Sequence, residues 1–352
     1  MFRLAEWPRG THTHGTMGIL QDDCSRFNST LSGSLTEKNG TSHILSGNAT
    51  AALYLFIVCI GVPANLLVLV VCLLKPFKSN VTSVYIGNLA GADVLLLSIL
   101  PFFALEKLWS SWIFGRSWCK FCSFVTMHSF YTSVFSLAAL SVDRYIAVVW
   151  PISAPRWRTI TRARIVAVAL WLFAAFPSIP PHILEVDEYL YSFVKSILGF
   201  ILPVLFIGII SSMIVYKLMH QRRKVPTRTS VPRYRRSLYL LITVVVVFVI
   251  CWMPFHLLAI IHSVCDHFCF LPLSACGRIF LRNRELATFL AYSNSCINPI
   301  LYAFVGPNFR KSLNRLLRRS CSCLLTGKNC QKVNITYSSL TYKYSNMAIP
   351  LK

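Results

Sequence analysis

Long runs of apolar residues, separated by short polar connections, dominate the chain between residues 51 and 305. Each run reaches roughly 20 residues, the length that an α-helix needs to cross the hydrocarbon core of a bilayer. One such run alone would fit a core helix of a soluble protein, but a series of them is typical of a polytopic membrane protein. The fifth run begins with polar residues, and Asn and Pro interrupt the seventh. We interpret as membrane spans the segments 51–74, 82–105, 118–149, 163–184, 190–216, 237–262 and 286–305.

The overall composition supports this interpretation. Apolar residues make up 55% of the 352-residue chain, and charged residues only 13%, a balance that is too apolar for an ordinary soluble domain. We therefore predict an all-α membrane protein, a bundle of seven transmembrane helices. No nucleophile and base pair, phosphate-binding glycine loop or cofactor motif stands out, so we do not expect an enzyme or a cofactor.

The net charge of +23 is distributed unevenly. Lys and Arg concentrate in segments 217–236 and 309–319, which adjoin the predicted spans on one side of the membrane. The positive-inside rule then places the N-terminus outside the cell and the C-terminal tail in the cytoplasm. Because the basic runs adjoin membrane helices, we expect membrane lipids and an acidic cytosolic partner to bind them, and no nucleic acid.

The first 50 residues form a polar arm with no apolar stretch that would indicate a cleavable signal peptide, so we expect the first span to act as the signal anchor. Sequons at Asn28, Asn39 and Asn48 predict glycosylation of this arm. A basic amphipathic segment follows the last span. The predicted organisation is an extracellular arm 1–50, a bundle 51–305, an amphipathic eighth helix 306–319 and a cytoplasmic tail 320–352.

Polar residues inside the spans are the first candidates for function, because each is costly in hydrocarbon unless it faces the bundle interior. Asp93 lies within the second span, in the stretch NLAGADVLLL. Its carboxylate must have hydrogen-bonding partners, a bound cation or a proton. A purely structural hydrogen-bonded cluster is the alternative interpretation.

The order of motifs along the spans resembles a rhodopsin-class (class A) G-protein-coupled receptor over about residues 51–319. The phrases ALSVDRYIAVVWP, YSNSCINPILYAF and FVGPNFRKSL are most similar to the peptide-receptor branch with the somatostatin, galanin, kisspeptin and urotensin-II receptors. The residues that carry the resemblance are Asn65, Asp93, Cys119, Asp143, Arg144, Tyr145, Trp171, Pro203, Trp252, Pro254, Asn298, Pro299, Tyr302 and Phe309.

The resemblance implies an allosteric sodium ion, and with it a metal ligand at Asp93. The matching positions are Asp93, Ser133, Asn294 and Asn298, and an oxygen cage of this kind suits a hard cation. Ser129 offers a hydroxyl where many members of the family have an amide, so we expect a looser site.

The resemblance also implies an activation mechanism in which the inner half of the sixth helix moves outward. Trp252 and Pro254 would form its toggle region, since proline removes a backbone hydrogen bond and permits a bend. Asn298, Pro299 and Tyr302 would rearrange with it.

At the inner end of the third span, Asp143, Arg144 and Tyr145 form the family's DRY motif. Asp143 is the only acidic residue on the predicted cytoplasmic side, and no carboxylate lies near Tyr234 at the inner end of the sixth span. We therefore expect Asp143 to hold Arg144 in the resting state. Ser211 stands where the family usually has a tyrosine that holds the moved arginine, which weakens the expected active state.

Ligand chemistry is narrowed by two positions. Tyr292 replaces the lysine that opsins need for retinal, which disfavours light sensing, and Thr126 replaces the aspartate that binds amines and basic peptide side chains in relatives. A polar pocket would suit a peptide with an aromatic or amidated end. Its predicted lining is Thr126, Phe130, Trp252, Phe255, His256 and Tyr292.

Acidic residues near the mouth of this pocket either meet basic groups of the ligand or are solvated loop charges. They are Glu106, Glu185, Asp187 and Glu188.

The extracellular cysteines depart from the family. The resemblance implies that Cys119 pairs with a cysteine of the second outer loop, but that loop is short and contains none. Either the partner is Cys24, Cys265, Cys269 or Cys276, or part of the loop is missing. On the inner side, Cys321 and Cys323, just past the predicted eighth helix, suit palmitoylation.

The predicted function is a plasma-membrane receptor for an extracellular peptide that signals through a heterotrimeric G protein and binds arrestin through its phosphorylated tail. A transporter or channel would require repeated halves or a file of ionisable residues, and we expect only Asp93 to be buried at depth. A non-signalling heptahelical scavenger is the stronger alternative, because of Ser211.

Overall fold

The computed structural model of the chain describes residues 45–74, 78, 80–179, 188–224, 231–268, 273–305 and 307–326. The sequons at Asn28 and Asn39, the loop acids Glu185 and Asp187, and Cys24 and Cys269 lie outside these residues. The same holds for the side chains of Glu188, Cys265, Cys276, Cys321 and Cys323, whose backbone alone is described.

Eight helices account for most of the described residues. The fifth has three parts, since a π-helical turn, Ile197–Ile201, joins the α-helices Glu188–Ser196 and Leu202–Lys224. One-turn helices at Ala154–Trp157 and Phe176–Ser178 flank the fourth. The helices are α1 Gly47–Leu73, α2 Val81–Trp109, α3 Arg116–Val149, α4 Ile160–Ala175, α5 Glu188–Lys224, α6 Val231–Phe268, α7 Leu273–Val305 and α8 Pro307–Thr326.

Six of these helices, α1 to α6, are long and apolar enough to cross a membrane. The seventh has 33 residues, which is also sufficient length, but polar residues along it lower its hydropathy. Large apolar side chains point outward from the bundle, among them Phe56, Leu172 and Ile250 with exposed fractions of 60%, 73% and 60%. In a membrane such side chains face lipid. The predicted all-α bundle of seven membrane helices is therefore confirmed.

Helix boundaries differ from the predicted spans where polar residues extend a helix beyond the apolar stretch. Capping by Ser46, whose Oγ accepts a hydrogen bond from the amide of Ala49 at 3.3 Å, starts α1 at Gly47 instead of 51. Asn48 is consequently exposed in the first turn of α1 and not in the arm. The seventh helix begins at Leu273 instead of 286, because a polar sequence continues the helix outside the hydrocarbon layer.

The eighth helix is longer than predicted. It continues to Thr326 instead of 319, because leucines follow its two cysteines and no Gly or Pro intervenes before Gly327. Cys321 and Cys323 therefore lie within its last turns and not beyond its end. Phe309 is buried against the main core, and Leu313 and Leu316 are partly buried there.

The third helix is the centre of the bundle, in contact with α2, α4, α5 and α6. The main hydrophobic cluster surrounds it, and a second cluster fills the outer half between α1, α2, α3 and α7. Trp171 of α4 donates its indole hydrogen to Asn88 Oδ1 at 2.6 Å, and Asn88 donates to Ser136 Oγ at 2.5 Å. These bonds join α2, α3 and α4 and hold α3 in place.

Candidate functional site

An aromatic cluster lies between α3, α5 and α6, and we define it by Phe130, Phe248, Trp252, Phe255 and His256. The ring centroids of Phe130 and Trp252 are 4.3 Å apart, and those of Phe130 and His256 are 5.5 Å apart. Trp252 meets Phe255 edge to face at 5.8 Å. All five side chains are buried. Four of the six residues predicted to line the ligand pocket are thus in direct contact.

The aromatic cluster depends on Gly199, which lies within the π-helical turn of α5. A Cβ atom at this position would be 2.4 Å from Phe130 Cε1 and 2.8 Å from its Cζ. Only a residue without a side chain lets α5 approach the Phe130 ring this closely. π-helical turns are often found at functional sites, and here the turn sets the distance between α5 and α3.

Lys195 and Ser196 of α5 reach the same cluster, and the sequence analysis missed both. Ser196 Oγ is 3.2 Å from His256 Nδ1. The Lys195 ammonium lies over the Phe255 ring at 5.4 Å from its centroid, and the residue is only 4% exposed. Asp93 was expected to be the only ionisable residue buried at depth, and that expectation is wrong. The available signal was a single lysine inside an apolar span.

The other two predicted pocket residues, Thr126 and Tyr292, belong to different surroundings. The Thr126 hydroxyl donates to the carbonyl of Cys122 at 2.8 Å, within its own helix. Tyr292 belongs to the outer hydrophobic cluster, where its ring meets Tyr54 at 5.7 Å. Both residues are buried.

Asp93 is buried between α2 and α7, where both of its carboxylate oxygens accept hydrogen bonds. Ser295 Oγ donates to Oδ1 at 2.7 Å, and Asn298 Nδ2 donates to Oδ2 at 3.0 Å. Asn298 is thus where the sequence placed it, and Ser295 was missed, although it is another polar residue in the NSCINP motif of α7.

Three oxygen atoms of polar residues on α3 and α7 are buried without a hydrogen-bonding partner among the described residues. They are Ser129 Oγ, Asn294 Oδ1 and Asn298 Oδ1. Ser133, which was predicted as a ligand, is also buried, but none of the described hydrogen bonds joins it to Asp93. Carboxylate, amide and hydroxyl oxygens fit a hard monovalent cation.

Asp143 is buried near the C-terminal end of α3 and interacts with two arginines. Arg144 Nη2 donates to Oδ2 at 2.6 Å, as expected from the sequence, and the same nitrogen also contacts the hydroxyl of Thr82 on α2. Arg158, which follows the one-turn helix after α3, also donates to both carboxylate oxygens. The role of Arg158 was missed, because no motif marks this loop position.

The remaining residues of the predicted activation region lie on α3, α6 and α7. Pro254 is inside α6 and Pro299 is inside α7. Tyr302 is buried, its hydroxyl has no hydrogen-bonding partner among the described residues, and its ring meets Phe309 of α8 at 6.3 Å. Tyr145 packs edge to face on Trp150 at 5.6 Å.

An ion-paired cluster joins the outer ends of α1, α2 and α7. Glu285 Oε1 lies 3.2 Å from Lys107 Nζ and 3.1 Å from Arg284, and Tyr54 donates to Oε2 at 3.5 Å. Glu106 is 6% exposed and is therefore not a solvated loop charge. The sequence analysis missed Glu285, which lies just before the predicted seventh span.

Cys119 is buried at the outer end of α3 and is disulfide-bonded. Five other cysteines of the described part carry free thiols: Cys59, Cys72, Cys122, Cys251 and Cys296. The partner of Cys119 therefore lies beyond the described side chains.

Comparison with known proteins places this arrangement in a class. The family described as 7 transmembrane receptor (rhodopsin family) matches residues 64–189 and 182–302. The chain belongs to this rhodopsin family of seven-transmembrane receptors. Its members are receptors and not enzymes, so the predicted family and the absence of enzymatic function are confirmed.

Relatives within the family are somatostatin receptors. Somatostatin receptor type 3 of Mus musculus is 35% identical over 308 residues, covering 79% of this chain and 70% of that protein. The type 3 receptor of Homo sapiens is also 35% identical, with 78% and 69% covered. Somatostatin receptor type 5 of Bos taurus is 32% identical, with 87% and 84% covered. The chain is thus a multi-pass membrane receptor of the somatostatin-receptor type.

Proposed function

We propose that the protein is a plasma-membrane receptor for an extracellular peptide and that it signals through heterotrimeric G proteins. The observation that carries this proposal is the contact between Phe130 and Trp252, with centroids 4.3 Å apart. It joins the predicted ligand-binding residues to the core of α6, next to Pro254. The similarity to somatostatin receptors supports a peptide as the ligand.

Signal transmission begins at the aromatic cluster. A ligand that displaces Phe255 or His256 also displaces Trp252, because these rings are in contact. Pro254 removes one backbone hydrogen bond from α6 and provides the bend about which its inner half moves. The movement opens the cytoplasmic face at Asp143 and Arg144, where the G protein binds.

Sodium is the proposed allosteric ion of the resting state. Asp93 would hold it together with oxygen atoms of Ser133, Asn294 and Asn298, and the ion would supply the positive charge that balances the buried carboxylate. Ser295 and Asn298 orient the carboxylate through their hydrogen bonds.

The proposed orientation places the N-terminus outside, because basic residues concentrate at the inner ends of the helices. The basic charge of segment 217–236 and of α8 then favours binding of lipid headgroups and of the G protein. Glycosylation of Asn28, Asn39 and Asn48, palmitoylation of Cys321 and Cys323, and arrestin binding to the tail belong to the same proposal.

To test this proposal, the full-length receptor is expressed in cells, and G-protein activation is measured with a panel of neuropeptides. We expect at least one peptide to promote nucleotide exchange in the wild type and to lose this effect in Trp252→Ala at equal surface expression. The matched control is Trp157→Ala, which changes an exposed tryptophan between α3 and α4.

A second candidate function is a scavenger that internalises its ligand without signalling. Ser211 favours it, since serine is too short to hold Arg144 after the helices separate. A peptide that binds and is internalised without nucleotide exchange would establish the scavenger and refute the signalling receptor.

A further inference from the structure

Lys195 is a buried ammonium group in the outer part of the bundle. The residue is 4% exposed, and its Nζ lies 5.4 Å from the centroid of Phe255 and 5.7 Å from that of Tyr191. Within the described part of the chain, no carboxylate forms an ion pair with it. Aromatic faces attract a cation, but they compensate only part of the cost of removing an ammonium from water.

Two neutral polar groups beside Lys195 also lack partners. Ser192 lies one helical turn before Lys195 on the same face of α5, and its Oγ is buried without a hydrogen-bonding partner among the described residues. His256 Nε2 is also buried without a hydrogen-bonding partner among the described residues, while its Nδ1 faces Ser196 Oγ at 3.2 Å. When the Ser196 hydroxyl donates to Nδ1, Nε2 carries the hydrogen and becomes a donor.

These three groups form a set of unused donors, and we call Ser192, Lys195 and His256 the donor cluster. Three buried carboxylates of the described residues are engaged elsewhere in the bundle: Asp93 accepts from Ser295 and Asn298, Asp143 binds Arg144 and Arg158, and Glu285 is paired with Lys107 and Arg284. Thr126, at the position where relatives have an aspartate, is neutral. The electrostatic character of this site is therefore positive.

We infer that the donor cluster binds a carboxylate of the ligand. This inference rests on the proposed function and adds the chemistry of the ligand. Lys195 supplies the charge, and Ser192 and His256 supply further hydrogen bonds to the carboxylate oxygens. A carboxylate bound there lies against Phe255 and His256, whose centroids are 5.8 Å and 6.0 Å from that of Trp252. Binding of the anion is thus communicated directly to Trp252.

The carboxylate has two possible sources, a free peptide C-terminus or an Asp or Glu side chain. Both differ from an amidated peptide end, which carries no negative charge. The inference also separates this receptor from relatives that bind a basic side chain, because a basic group would be repelled by Lys195.

The test uses the full-length receptor purified in detergent and the probe N-acetylphenylalanine, with N-acetylphenylalanine amide as its uncharged match. Binding at millimolar concentration is measured by saturation-transfer NMR and by the change in melting temperature. We expect the acid to bind about tenfold more tightly than the amide, the usual effect of a charge-assisted hydrogen bond. Lys195→Met should abolish this preference and Lys195→Arg should retain most of it.

The matched control is Lys120→Gln, which removes a positive charge from a half-buried lysine at the outer end of α3. It should keep the full preference for the acid. Two further probes distinguish the sources of the carboxylate: N-acetyl-alanyl-phenylalanine carries it at the C-terminus, and N-acetyl-aspartyl-phenylalanine amide carries it on a side chain. The probe that binds more tightly identifies the source of the carboxylate.

The melting temperature without probe distinguishes ligand binding from a structural role. If Lys195 serves the ligand, Lys195→Met melts at the wild-type temperature or above it, because an uncompensated charge has been replaced by an apolar side chain. If Lys195 is held by a carboxylate of the second outer loop, the same variant melts at a lower temperature.

Equal binding of the acid and the amide, no binding of either, or a destabilised Lys195→Met with unchanged acid preference would overturn the inference. These measurements involve no G protein, so they are independent of the proposed signalling. Acid-selective binding without any nucleotide exchange refutes the signalling receptor alone. A signalling peptide whose potency is the same in wild type and Lys195→Met refutes the carboxylate site alone.

Discussion

Arg158 binds the carboxylate of Asp143 with two nitrogen atoms, Nε at 2.6 Å from Oδ1 and Nη2 at 2.9 Å from Oδ2. Asp143 is shared, because Arg144 donates to Oδ2 as well. When Arg144 separates from Asp143, the carboxylate keeps Arg158 as a partner and does not become an isolated buried charge. Arg158 therefore lowers the cost of opening the cytoplasmic face.

Asp143→Asn should raise basal signalling. An amide cannot hold the guanidinium of Arg144 as a carboxylate does, so the resting arrangement loses its ion pair. The measurement is ligand-independent nucleotide exchange at equal surface expression. Asp143→Glu, which keeps the charge, is the control. An unchanged or lower basal level in Asp143→Asn would show that Asp143 does not hold Arg144 in the resting state.

Arg158→Gln should have the opposite effect and reduce the maximal response to a ligand. Without Arg158 the opened state contains an unpaired Asp143, and a part-exposed pair of this kind is worth about 1 kcal/mol, a several-fold change in the equilibrium. Arg156→Gln is the matched control, because this arginine is exposed on the one-turn helix just before Arg158.

The effects of Asp143→Asn and Arg158→Gln on signalling should not be additive. In the Asp143→Asn background Arg158 has no carboxylate left to stabilise, so Arg158→Gln should have almost no further effect. Additive effects in this double-mutant comparison would show that Arg158 acts through some other group.

Asp93→Asn should remove the response of the receptor to sodium. In the wild type, replacing potassium chloride by sodium chloride at equal ionic strength should raise the melting temperature, since the ion binds the folded resting state. Ser295→Ala should weaken this effect, because Asp93 loses one of its two hydrogen bonds. Ser293→Ala is the control, since that hydroxyl donates to the Phe289 carbonyl. A sodium effect that persists in Asp93→Asn would exclude this site.

Gly199→Ala should destabilise the receptor by about 1–3 kcal/mol, the usual cost of overfilling a packed core. The new methyl group overlaps the Phe130 ring, and moving that ring disturbs its contact with Trp252. Gly208→Ala is the matched control on the same helix, because nothing lies within 4 Å of its new Cβ. Thermal unfolding of both purified variants tests this, and equal melting temperatures would show that α5 is free to shift.

The sequence predicted the helices well where hydrophobicity determines them, and less well where polar contacts do. Five spans lie inside the observed helices to within one residue, since a bilayer requires long apolar helices. The fourth was predicted to reach 184, whereas α4 ends at Ala175. The seventh span was too short, because its outer turns carry Arg284 and Glu285. Arg284 and Glu285 form an ion pair, and Lys107 and Tyr54, which come from distant parts of the chain, also contact Glu285.

Some residues of the candidate site were likewise predicted from the sequence, and others were not. The motifs identified Asp93, Asn298 and Trp252, because each of these residues belongs to a motif that lies within a single span. Arg158 and Lys195 were missed, because what distinguishes them is the neighbour that they meet or lack on another helix. One sequence contains no direct record of such contacts.

The ion pairs around Glu285 distinguish a rigid side of the bundle, α1, α2 and α7, from a more mobile side, α5 and α6. The outer ends of α1, α2 and α7 are fastened together by charge, whereas the outer part of α5 meets α6 through aromatic rings, one hydroxyl and a buried lysine. Rings slide past one another more readily than ion pairs separate. Activating ligands should therefore separate α5 from α6. Drugs that bind near Glu285 should stabilise the resting conformation.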